Sequence, residues 1–211
     1  MRHNTRERYI FKRVLLAVAL LAFYATLTML IHPVFGINYS AGTYGTCTYG
    51  TCSISLTTSG SIAANITPSP GTTSCTVSND IVTATTDSST GYTVTLNDTD
   101  TSNVLNGPIS ITANSSTSAS PSLLTANTWG YRVDNVDGFG LGPTNSISSG
   151  TVPLLPFAGV PLSSGTPGLI RTTNAADSGA VHTSVWYGVC ANDSLQSGSY
   201  SDSVTYTALI N

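Results

Sequence analysis

The sequence predicts an all-β protein: an antiparallel two-sheet β-sandwich preceded by an N-terminal hydrophobic signal or anchor helix. Three observations lead there. A basic flank and an uncharged apolar run open the chain, and short period-2 alternations recur after them. Turn residues separate those alternations at short intervals, and no stretch after Ile37 carries a helical period.

Arg2, Arg6, Arg8, Lys12 and Arg13 precede an apolar run from Val14 to Ile31, the pattern of an export signal. As a helix the run would reach roughly 27 Å, close to the bilayer core, so it could span. Pro33 breaks it, and Val34-Phe35-Gly36 offers small residues to a peptidase. Two fates stay open: cleavage after Gly36, or retention of residues 1–36 as a transmembrane signal anchor. Either leaves the basic flank inside and residues 37–211 outside as one domain, membrane-associated only through its leader.

Within that domain, Ser53–Thr57 alternates, Ser59-Gly60 interrupts, and Ile62–Ile66 resumes, which predicts a hairpin. Pro68, Pro70 and Gly71 stop it. Ile81–Thr85 and Tyr92–Leu96 flank turn residues Asp87–Gly91 and predict two adjacent antiparallel strands. Short strands follow at Ile109–Thr112 and Trp129–Val133, the latter leading into a Gly/Asp loop around Phe139. Between Ser146 and Ala176, Pro153, Pro156, Pro161 and Pro167 forbid a long central strand and leave loops and edge strands. Val185–Cys190 and Tyr200–Leu209 then predict a closing hairpin, with Val204, Tyr206 and Ala208 on one face.

After Ile37 the chain has two arginines, Arg132 and Arg171, against nine aspartates and no glutamate, hence a net charge of −7. That balance argues against nucleic acid or anionic lipid as a partner, because both need a basic footprint. Lysine is absent from the domain, so Lys–Asn isopeptide cross-links cannot form. Four cysteines, Cys47, Cys52, Cys75 and Cys190, read as two disulfides in an exported chain. The local repeat Tyr44-Gly45-Thr46-Cys47 and Tyr49-Gly50-Thr51-Cys52 favours Cys47–Cys52, leaving Cys75–Cys190 to close a long loop. Their spacing matches no zinc finger or ribbon.

The segment Trp186-Tyr187-Gly188, with Ser197-Gly198-Ser199-Tyr200-Ser201-Asp202-Ser203-Val204-Thr205-Tyr206-Thr207 after it, resembles the end of bacterial surface β-sandwich proteins of the spore-coat-U and fimbrial type. It is also similar to WxL-type wall-bound domains, without their tandem Trp-x-Leu motifs. Residues 37–211 as a whole resemble exported proteins of very small bacteria in Trp129-Gly130-Tyr131-Arg132-Val133-Asp134 and Val185-Trp186-Tyr187-Gly188-Val189-Cys190. These likenesses imply a surface-exposed sandwich and supply no catalytic residue.

Candidate chemistry is sparse. His182 is the sole histidine of the domain and the only base for a Ser-His-Asp triad, but no Gly-x-Ser-x-Gly elbow supplies a nucleophile. A glycosidase wants two carboxylates in a cleft, whereas these aspartates sit mostly in turns, capping backbone amides. Asp98 with Asp100, and Asp134 with Asp137, bunch oxygen donors as calcium candidates, though neither loop completes an EF-hand. Trp129 and Trp186 could stack on sugars or fill the core; their strand contexts favour the core. The expectation is a non-enzymatic structural or adhesin-like protein of a bacterial cell surface, without cofactor. Its partner would be an envelope or host-cell component. Self-assembly by strand donation, through a segment around Asn38 to Thr46, is the alternative, and an extracytoplasmic hydrolase using His182 the minor one.

Overall fold

A computed structural model describes residues 52–67, 70–143, 145–150 and 155–211. The expected leader and Cys47 lie outside the described residues. Those described are all-β, and no helix occurs among them. The strands are β1 (Ile54–Thr58), β2 (Ser74–Thr86), β3 (Tyr92–Asp98), β4 (Thr112–Ala113), β5 (Ser122–Leu123) and β6 (Thr128–Val133). They continue with β7 (Ile147–Gly150), β8 (Pro156–Phe157), β9 (Gly168–Thr172), β10 (Asp177–Ala191) and β11 (Val204–Ile210). A six-stranded sheet has the order β1-β2-β10-β6-β4, with β7 also on β2; a three-stranded sheet runs β11-β3-β9; β5 and β8 pair separately. Every pairing is antiparallel except β4 with β6.

The alternating strands bury one face each, as their residue pattern predicts: β3 alternates buried and half-buried along its length, and β11 turns Val204, Tyr206 and Ala208 inward. Their inner faces join one core. Val82 and Ala84 of β2, Tyr131 and Val133 of β6, and Val185 of β10 share it with Val94 and Leu96 of β3 and Ile170 of β9. A second cluster lies on the opposite face of β2 and β10, where Cys75, Val77, Trp186 and Cys190 meet Leu124 and Phe157. The middle of the larger sheet is therefore buried on both sides.

Cys75 and Cys190 stand directly opposite each other in the β2–β10 register and form the expected disulfide, 4.1 Å apart at Cα and fully buried. Cys52 is also disulfide-bonded. Two residues further along, Gly188 of β10 faces Gly130 of β6. A Cβ on Gly188 would lie 2.7 Å from the Phe157 ring, and one on Gly130 would lie 2.3 Å from the Ala158 carbonyl oxygen. Paired glycines thus let the β8 segment sit directly on the sheet.

Three expected pairings are replaced. Residues 61–67 form no strand, so β1 has no hairpin partner there and pairs instead with the second half of β2, from Ile54 opposite Thr86 to Thr58 opposite Val82. Ser59 explains the departure: its hydroxyl donates to Asp80 Oδ1 at 2.6 Å and accepts from Ile81 N at 3.0 Å, pinning the chain to β2 as β1 ends. The following residues are held by side chains, Thr76 Oγ1 donating to Asn65 O at 2.8 Å. Secondly, β2 and β3 are not neighbours; residues 87–91 carry the chain from the larger sheet to the smaller. Thirdly, β10 and β11 form no closing hairpin, because β11 pairs with β3 from Val204 opposite Asp98 to Ile210 opposite Tyr92. The second and third share a cause. Both edges of β2 and of β10 are occupied by other strands, so the next segment finds its backbone partners in the other sheet.

The expected strand at Ile109–Thr112 is shifted, with β4 at Thr112–Ala113 and Ile111 bridging back to Leu105. The proline-rich stretch does supply short strands, and β9 is an edge of the smaller sheet.

Candidate functional site

His182 lies exposed on β10, where its Nδ1 shares a 2.7 Å hydrogen bond with Thr83 Oγ1, its register partner on β2. The two sit on an open sheet face, and among the described residues no carboxylate hydrogen-bonds to the ring. Trp129 and Trp186 are core residues, 4% and 5% exposed. The Trp129 indole is held by a 3.0 Å bond to Asn103 O.

Asp98 closes β3, and its Oδ1 accepts from Asp100 N at 3.0 Å, while Asp100 Oδ1 accepts from Ser102 N at 2.6 Å. Both calcium candidates of this loop therefore cap backbone amides, as short acidic side chains do in turns. One carboxylate oxygen is left over. Asp98 is 1% exposed, and no N–H or hydroxyl donates to its Oδ2 or to the buried Oδ2 of Asp202; the two carboxyls instead lie within hydrogen-bonding reach of each other. The β3–β11 register puts these two carboxyls together across 104 residues of chain, and sequence spacing offers no signal for it. Burial pushes the Asp202 carboxyl up to about 6, the adjacent Asp98 and Asp100 adding to the shift and the Ser203 N–H opposing it.

The second acidic loop follows β6. Arg132 is fully buried, its guanidinium donating to Pro156 O at 3.2 Å, Phe139 O at 3.0 Å and Gly140 O at 3.1 Å, with Asp134 Oδ1 3.6 Å away. Burial pulls the Arg132 pKa down and Asp134 opposes it; burial likewise pushes the Asp134 carboxyl up against the pull of Arg132. Arg132 thereby ties the loop and β8 to one point. Beyond Asp134, Asn135 and Asp137 adopt left-handed backbone conformations, φ 57° and 49°, which Asn and Asp tolerate better than other side chains.

This loop walls a cleft of about 360 Å³ whose other side is Leu169–Thr172 of β9 and whose lining includes Thr183 of β10. Arg171 lines the same cleft; its Nε donates to Tyr92 OH at 3.1 Å, and its Nη2 lies 3.9 Å from Asp177. Thr183 Oγ1 is buried without a hydrogen-bond partner. Of the cleft's polar groups the sequence singles out Asp134 and Asp137; Arg171 and Thr183 come from other strands. Among the described residues, no three His, Cys, Asp or Glu side chains are grouped to hold a metal ion.

No protein-family model, curated protein or solved structure matches the chain.

Proposed function

We propose that the two larger sheets face each other across their shared core as a β-sandwich, and that this domain serves outside the cytoplasmic membrane as a non-enzymatic structural or adhesin-like component of a bacterial envelope. The observation that carries the reading is the buried Cys75–Cys190 disulfide, which joins residues 115 apart at the centre of the larger sheet. Such bonds persist in oxidising compartments and are rare in reducing ones. In the loop-entropy account a closure of that length is worth about 5 kcal/mol. The basic flank and apolar run at the start of the sequence agree with export.

The test is intact mass and N-terminal sequencing of the protein recovered from its native host, with and without reduction. A gain of about four mass units on reduction, with the chain in the envelope fraction, is expected. Free thiols or a cytoplasmic chain would overturn the reading, and so would an enzymatic activity abolished by one substitution.

One feature favours assembly by strand donation as a second reading. Among the described residues β11 pairs with β3 alone, leaving the outer backbone edge of Val204–Ile210 for an added strand. Deleting residues 38–46 would then abolish denaturant-resistant polymers on unboiled gels; polymers that persist after the deletion would count against it.

A further inference from the structure

We propose that the cleft between the Asp134–Asp137 loop and β9 is a binding site for a neutral, hydroxyl-rich ligand, a short saccharide. Its volume of about 360 Å³ falls at the lower end of the range for small-molecule sites. Its charged residues are of opposed sign: Asp134 and Asp137 belong to the loop wall and Arg171 to the β9 wall, and with the Asp134 carboxyl turned to Arg132 the carboxylate left for a ligand is that of Asp137. An anion would meet Asp137 and a cation Arg171, whereas a sugar hydroxyl donates to a carboxylate and accepts from a guanidinium with equal ease.

Two further observations support a built site. The β3–β9 ladder shifts register between Val94 and Thr95: Val94 faces Arg171, Thr95 faces Leu169, and Ile170 is the extra residue. This bulge lets consecutive residues serve the inner side, Ile170 packed in the core and Arg171 opposite the inward-facing Val94, where strict alternation would send one of them outward. In addition, the buried Thr183 hydroxyl in the cleft lining has no partner in the protein. The loop wall is held rigid from behind by the fully buried Arg132.

The inference goes beyond the envelope reading and does not rest on it. Its test is saturation-transfer NMR on the full chain, in a detergent without a sugar headgroup, with lactose, maltose, cellobiose and N,N′-diacetylchitobiose as probes. At least one sugar is expected to bind. Asp137→Gly removes a carboxylate without straining a left-handed residue and is expected to weaken that binding about tenfold or more, as is Arg171→Gln. His182→Ala, on the exposed sheet face, is expected to leave it unchanged. No binding by any of the four sugars would overturn the proposal, as would affinity unchanged in both cleft variants. Melting temperatures of the variants separate lost contacts from lost fold, and Asp137→Gly decides if Arg171→Gln unfolds.

Discussion

Arg132 sits between the rings of Phe139 and Phe157, its guanidinium carbon 5.9 Å and 6.0 Å from their centres, while bonding three carbonyls. A lysine would keep the charge but could not reach the same acceptors from one ammonium. Arg132→Lys is expected to cost about 2 to 4 kcal/mol, read as a lower urea midpoint at unchanged m. At Asp202 the consequence is a pH dependence. Its folded pKa of about 6 lies above the unfolded value near 3.9, so the folded chain holds the proton more tightly. That contribution is fully present below about pH 4 and lost as pH rises through 6. Asp202→Asn removes a like charge yet keeps an oxygen for the Ser203 N–H. It is expected to melt above the parent at about pH 7.5, with the gap closing near pH 4. A gap constant with pH would refute the assignment.

At the scale of the element, the 15-residue β10 organises the larger sheet: it pairs with β2 from Val181 to Ala191 and with β6 from Val185 to Cys190, and carries one half of the disulfide. Its weak point is steric. An alanine Cβ at 188 would come within 2.9 Å of both the Phe157 ring and Leu124 Cδ1. Gly188→Ala is expected to cost about 1 to 3 kcal/mol, and Phe157→Leu in the same chain to recover part of it. Gly130→Ala should be worse and not rescued that way, since its Cβ would meet a backbone oxygen. Chemical denaturation of the single and double variants checks both. The smaller sheet depends on a different device, the 2.7 Å hydroxyl contact between Tyr187 of β10 and Tyr206 of β11, which bridges the two sheets inside the core. Burial raises both phenol pKa values, so the pair stays neutral and its hydrogen bond intact in ordinary buffers.

For the whole molecule, charge scarcity has a direct consequence. Between Ile37 and Asn211 trypsin can cut only after Arg132 and Arg171; the first is fully buried and the second about one-third exposed. Cleavage after Arg132 is expected only on global unfolding, so its rate should follow the fraction unfolded as urea is raised. Rapid native cleavage there, seen by mass spectrometry, would contradict the packing of Arg132.

By itself the sequence determined where the longer strands lie, which faces they bury, and that its cysteines pair as disulfides, because alternation, proline placement and cysteine chemistry are properties of a segment or of residue type; that Cys75 joins Cys190 it only favoured. Which strand lies beside which was decided in three dimensions. A period-2 segment ending in a turn reads the same as half of a hairpin and as a strand that changes sheets; residues 81–96 and 185–209 both proved to be the latter. Site geometry followed that choice. Asp134 and Asp137 were visible as an acidic loop, but Arg171 came to line the same cleft through a bulge on another strand, and Asp202 reached Asp98 through the β3–β11 ladder. Backbone hydrogen bonds are identical at every residue, so the pairing of strands rests on the joint packing of all the buried faces, a property of the folded whole.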